Sequence, residues 1–146
     1  MVAHHPLVGS NAVRVPLLAL MAFAAAACGG PTEVQLEEDF TLALGKSAAV
    51  EGTGITVTFA GVLEDSRCPI NAVCVRAGNA KVVLGLQNPR RSAEVNIPDQ
   101  PRGVFIDQIE IRLIDLNPAP EVGKELDKGS YRVTLRAIQH NSAPVG

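Results

Sequence analysis

Apolar residues recur at every second position through most of this chain, and that period limits its fold more than any other feature. Along 55–64, Ile55, Val57, Phe59, Gly61 and Leu63 fall on one face and Thr56, Thr58 and Glu64 on the other. Successive side chains of a strand point to opposite faces, so this run reads as a strand wet on one side. Phe40, Leu42 and Leu44 repeat the pattern, followed by a short run from Ser47 to Glu51. So do Ala80, Val82, Leu84 and Leu86, then Ala93, Val95 and Ile97, and finally Tyr131, Val133, Leu135 and Ala137. Between Asp107 and Leu116 the inward set Ile109, Ile111 and Leu113 gives way to Ile114 and Leu116. A β-bulge near Leu113 would cause that change of parity, as would burial of the strand end on both faces.

Turn formers separate these runs: Gly52-Thr53-Gly54, Asn88-Pro89, the loop Pro98–Gly103 and Asn117-Pro118-Ala119-Pro120. Glu121 to Lys128 leaves room for one helical turn. About seven strands without long helical periods predict an all-β domain over 40–140, an antiparallel β-sandwich. A small closed barrel is the alternative. With an aromatic fraction of 3%, no Trp and one Tyr, the core must come from Val, Ile, Leu and Ala. At 146 residues there is room for one such domain.

The first 27 residues have the form of an export signal: Arg14, then the uncharged apolar run Val15 to Ala27 ending in small residues. That run is shorter than the roughly 20 apolar residues a bilayer-spanning helix needs. The junction Ala25-Ala26-Ala27-Cys28 resembles the signal of bacterial lipoproteins, whose cysteine is acylated after cleavage. Ala25 stands where that signal usually has Leu. The resemblance implies lipidation of Cys28 and attachment to a membrane through that lipid. The competing reading is ordinary secretion by cleavage at an Ala-x-Ala site, which would leave Cys28 as an unpaired thiol on an exported chain. Cleavage before Cys28 leaves 119 residues with 12 basic and 15 acidic side chains, a net charge of −3. A mildly acidic chain with scattered bases does not suit nucleic acid. Residues 28–39, small and then acidic through Glu37-Glu38-Asp39, read as a flexible tether, and 141–146 as a C-terminal tail.

Cys68 and Cys74 are separated by five residues, a spacing that permits a disulfide across a tight turn in an oxidising compartment. They lack the Cys-x-x-Cys spacing of redox catalysts. After removal of the signal only His140 remains among the histidines, which leaves no metal-ligand set. The candidate binding residues of this loop are Arg67, Pro69, Asn71 and Arg76. Arg67 has two readings: a side chain presented to a peptidase from a rigid inhibitory loop, or an ion-pair partner of Glu64 or Asp65.

The segment Asp65-Ser66-Arg67-Cys68-Pro69, with Cys74-Val75 and Ala77-Gly78-Asn79-Ala80, resembles a recurring motif of small exported bacterial proteins. In that motif Asp-Ser-Arg-Cys-Pro is followed four residues later by Cys, an aliphatic residue, Trp, Ala and Gly. Arg76 occupies the Trp position here. The resemblance implies a compact β-domain and assigns no activity.

Enzymatic signatures are missing from the sequence. Glu64 and Asp65 are adjacent and would point to opposite faces of a strand, no Gly-x-Ser-x-Gly elbow occurs, and Gly52-Thr53-Gly54 precedes a strand instead of a helix. The expectation is a non-enzymatic cell-envelope lipoprotein with no cofactor. It would be lipid-anchored, exposed to the periplasm or exterior, and bind an envelope partner or serve a structural role. A secreted peptidase inhibitor and a small-ligand-binding β-domain are the alternatives.

Overall fold

The computed structural model describes Met1, Val2 and residues 30–141. Residues 3–29, which hold Cys28 and nearly all of the expected export signal, lie outside the described residues, as do residues 142–146.

Among the described residues, nine strands form two sheets. They are β1 (Thr32–Val34), β2 (Asp39–Ala43), β3 (Ser47–Val50), β4 (Ile55–Asp65) and β5 (Ala80–Gln87), then β6 (Arg91–Ile97), β7 (Gly103–Ile106), β8 (Ile109–Asn117) and β9 (Arg132–Gln139). The first sheet has the order β1-β3-β4-β5-β6 and the second β2-β9-β8-β7. Their inner faces close on one core of buried side chains, in which Phe59, Leu84, Ile111, Leu113, Leu116 and Leu135 are the largest fully buried. This is the β-sandwich that the alternation predicts, and the seven expected strands correspond to β2–β6, β8 and β9.

The two further strands are short edges. β7 pairs with β8 through the two-residue turn Asp107-Gln108, with Asp107 in the left-handed region at φ 53°. β1 lies inside the expected tether and pairs with β3 in parallel, the one parallel pair among the described residues. The acidic stretch after it is also fastened. The Glu37 backbone N–H donates to the Ala137 carbonyl at 2.8 Å, its carboxylate accepts from the Gln139 N–H at 2.8 Å, and Asp39 pairs with Arg136 at 2.7 Å. Backbone bonding along both sheets makes 32–39 part of the domain.

Bulges decide which residues face inward. β8 shifts register between Leu113 and Asp115, which puts Leu116 in the core beside Leu113 as the change of parity requires. β4 shifts between Phe59 and Gly61 and again between Val62 and Glu64. The expected inward set therefore holds only as far as Phe59. Beyond it Val62 packs on the core and Leu63 is exposed. A strict period of two cannot anticipate two extra residues inserted in one strand.

The strand directions fix the two ends of the sandwich. β1 is parallel to β3 and β4 antiparallel to it, so the start of β1 and the end of β4 point the same way. The cysteine loop follows β4 at that end.

Candidate functional site

The site is built outward from Asp65, the last residue of β4. Its side chain is 8% exposed and the Arg67 side chain 14%. Arg67 grips the carboxylate with two donors, Nε to Oδ1 at 2.8 Å and Nη2 to Oδ2 at 2.7 Å. Tyr131, entering β9, donates its hydroxyl to Oδ2 at 2.8 Å. Arg67 also donates through Nη2 to the Pro118 carbonyl at 2.9 Å and through Nη1 to the Leu116 carbonyl. Four of the five guanidinium N–H donors are thus committed, and they join the end of β4 to the end of β8 across the two sheets. Burial pushes the Asp65 carboxyl up, but the bonds from Arg67 and Tyr131 together outweigh it and hold the group below its ordinary 3.8. The same contact works oppositely on the phenol: burial first, then the Asp65 carboxylate, pushes Tyr131 up to about 12.

On this base stands the disulfide loop. Cys68 and Cys74 are bonded, with Cα atoms 5.9 Å apart. Two backbone bonds extend the β4–β5 ladder into the loop, from the Ser66 N–H to Asn79 O at 2.8 Å and from the Cys68 N–H to Ala77 O at 2.7 Å. Asn79 in turn donates to the buried Asn96 at 3.0 Å. Gly78 adopts φ 68°, and a Cβ there would collide with the Ser66 carbonyl, so this crossing of chains admits only glycine. The far side of the loop is pinned to residues 118–122. The Ile70 N–H donates to Pro120 O at 3.0 Å, and Asn71 Oδ1 accepts from the Val122 N–H at 2.8 Å.

The sequence-derived candidates now divide. Arg67 faces inward, so the reading in which a peptidase recognises its side chain is corrected: the guanidinium is consumed by Asp65 and two main-chain carbonyls. Glu64, the other suggested partner of Arg67, instead pairs with Lys81 at 3.3 Å on the outer face. Asn71 is a fastener of the loop. Pro69 lies in the turn, where its carbonyl accepts from the Ala72 N–H at 3.0 Å. Arg76 is exposed.

Sequence reasoning did not find the apolar side chains this scaffold holds in water. Val73 and Val75 are fully exposed, Ile70 is 69% exposed and Val122 61%. From Ser66 to Ala80 no acidic residue occurs, and Arg67 and Arg76 are the only charges. Their aliphatic character was visible in the sequence, but not their outward projection on a loop fastened at both sides. A cluster of this kind on a rigid support is a contact surface in form. It offers no nucleophile, acid or base.

Beneath the loop a cleft of about 360 Å³ opens between the sheets, lined by Leu44, Val62, Leu63, Asp65, Leu126 and Tyr131 among others. The Tyr131 hydroxyl is bonded to Asp65, the Asp65 carboxylate also to Arg67, and Glu64 to Lys81, so most polar groups lining the cleft are already committed to protein partners. At the opposite end of the sandwich, the buried Glu110 carboxylate accepts from Arg112 at 2.9 and 2.6 Å and contacts His140 Nε2 at 2.9 Å. Its pairing with Arg112 holds Glu110 below its ordinary value. Among the described residues no group of three or more His, Cys, Asp and Glu side chains could hold a metal ion, and no helix is long and apolar enough to cross a membrane. No family model, curated protein or solved structure matches the chain.

Proposed function

We propose that the protein is a non-enzymatic cell-envelope lipoprotein, anchored through acylated Cys28, with a binding or structural role at its membrane. The observation that carries this reading is the distance along the chain between the lipidation motif and the fold. Cys28 ends Ala25-Ala26-Ala27-Cys28, and β1 begins at Thr32. Four residues extend at most about 14 Å. A lipid on Cys28 therefore holds the sandwich against the bilayer with almost no linker, and the rigid loop is presented close to that surface. One acyl chain anchors only marginally, so stable attachment calls for the multiple acylation of the lipoprotein class. The loop serves this role as a braced contact element: its charged groups are spent internally and its aliphatic groups are turned outward.

Replacing Cys28 by Ala in the full chain tests the anchor. The wild type is expected in the membrane fraction and Cys28→Ala in the soluble fraction. Unchanged membrane retention of the variant contradicts the proposal.

A further inference from the structure

We infer that the apolar tip of the disulfide loop, Ile70, Val73 and Val75 with Val122 beside it, seats in the lipid surface to which the chain is anchored. The inference rests on the anchoring reading above and adds the orientation of the domain and the occupant of the exposed patch.

Three observations carry it. The first is direction. The start of β1 points toward the same end of the sandwich as the end of β4, where the loop begins. Gly30 and Pro31 line a groove that runs from Thr56 and Gln87 to Ala43, Lys46 and Arg132, and Arg132 pairs with Asn117, the residue before Pro118 that Arg67 holds. The second is reach. Thr32 is level with Ala48 and hence with Val57 of β4. β4 runs eight residues further to Asp65, roughly 26 Å at about 3.3 Å per residue and somewhat less across its bulges. Four residues from Thr32 to Cys28 span at most about 14 Å. The loop thus projects beyond anything the anchor can reach with the sandwich upright. A tilt of the domain toward its β1 edge brings the acyl chains and the loop tip to the same lipid surface.

The third is composition. The tip presents aliphatic side chains with one exposed cation at Arg76 and no carboxylate from Ser66 to Ala80; beside Val122, Glu121 is paired with Lys124 at 2.5 Å and Glu125 is exposed. Interfacial elements place apolar groups at the acyl boundary and cations among the headgroups. Each contact alone is weak, but the anchor makes the second one intramolecular, and a short tether gives it a high effective concentration. The disulfide, Gly78 and the Asp65–Arg67 pair keep the tip ordered before it meets the surface, which lowers the cost of seating it.

The chain has no tryptophan, so one introduced Trp reports its own surroundings. Val73→Trp marks the tip, and Gln108→Trp, in the turn between β7 and β8, marks the opposite end. Each acylated full-length protein is reconstituted into phosphatidylethanolamine and phosphatidylglycerol vesicles with brominated acyl chains, and its intact mass is recorded from the same sample. The expected result is blue-shifted emission from Val73→Trp, strongly quenched by the brominated lipid and protected from iodide. Gln108→Trp should remain open to iodide and unquenched by lipid. Adding Val75→Asp to Val73→Trp should restore iodide quenching, which shows that the native aliphatics and not the new indole seat the loop. Acylated protein in which Val73→Trp is as open to iodide as Gln108→Trp overturns the seating alone. Protection from iodide without lipid quenching assigns the tip to a protein surface and also overturns it. A mass without acyl groups overturns the anchor, and this inference with it.

Discussion

Asp65 and Arg67 account for most of what this loop is. An Arg two residues after an Asp at the end of a strand reads equally well as a side chain for a partner, because the choice depends on Tyr131 and on the carbonyls of Leu116 and Pro118, which are 49 to 66 residues away in sequence. Cutting one partner from a buried pair strands the other, so Arg67→Ala should destabilise the domain by about 3 kcal/mol. Urea unfolding checks this, and a loss below about 1 kcal/mol, the scale of an exposed pair, would contradict the buried network. The pH dependence follows from the same contacts. Asp65 is held below 3.8, so its stabilisation is complete above that value and is lost as pH falls through the lower folded value. Tyr131 is pushed up, so its contribution is complete below about 10 and lost as pH rises through about 12. Tyr131 is the only tyrosine, and the ultraviolet absorbance of its phenolate titrates it directly. A midpoint near 12 in the folded protein is expected. A midpoint at 10 would show that the phenol does not face Asp65.

At the scale of elements, seven strands were legible because apolar residues alternate along them and face the core. β1 and β7 were not: both are short and sit at sheet edges, where the one neighbour they pair with sets them, whereas β3, as short as β7, lies between two strands. The bulges of β4 escaped for a related reason: Gly61 and Leu63 keep the period while the backbone breaks it. The pairing of Cys68 with Cys74 was legible from spacing and compartment. The second fastening of the loop, by Asn71 and Ile70 onto residues 120–122, left no pattern in the sequence. The disulfide closes a small loop, worth about 2 kcal/mol in the chain-entropy account. Reduction should lower the unfolding free energy by about that amount and leave the domain folded, because Ser66, Cys68, Ile70 and Asn71 still hold the loop through hydrogen bonds. Loss of the folded state on reduction would show that those bonds contribute less than their geometry implies.

For the whole molecule, we propose that lipid on Cys28 holds a sandwich beginning four residues later at a membrane, while the other two cysteines brace the loop that follows β4. The signal motif is legible in the sequence alone, whereas the direction in which the chain approaches the fold becomes clear only from the parallel pairing of β1 with β3. Intact-mass analysis of the full chain's mature product, extracted from its membrane and measured with and without reductant, tests both assignments of cysteine together. The expected product begins at Cys28 and carries a diacylglyceryl thioether and further acylation, with a gain of two hydrogens on reduction. A mature chain starting elsewhere or bearing no acyl groups would contradict the anchor, and an unchanged mass on reduction would contradict the brace.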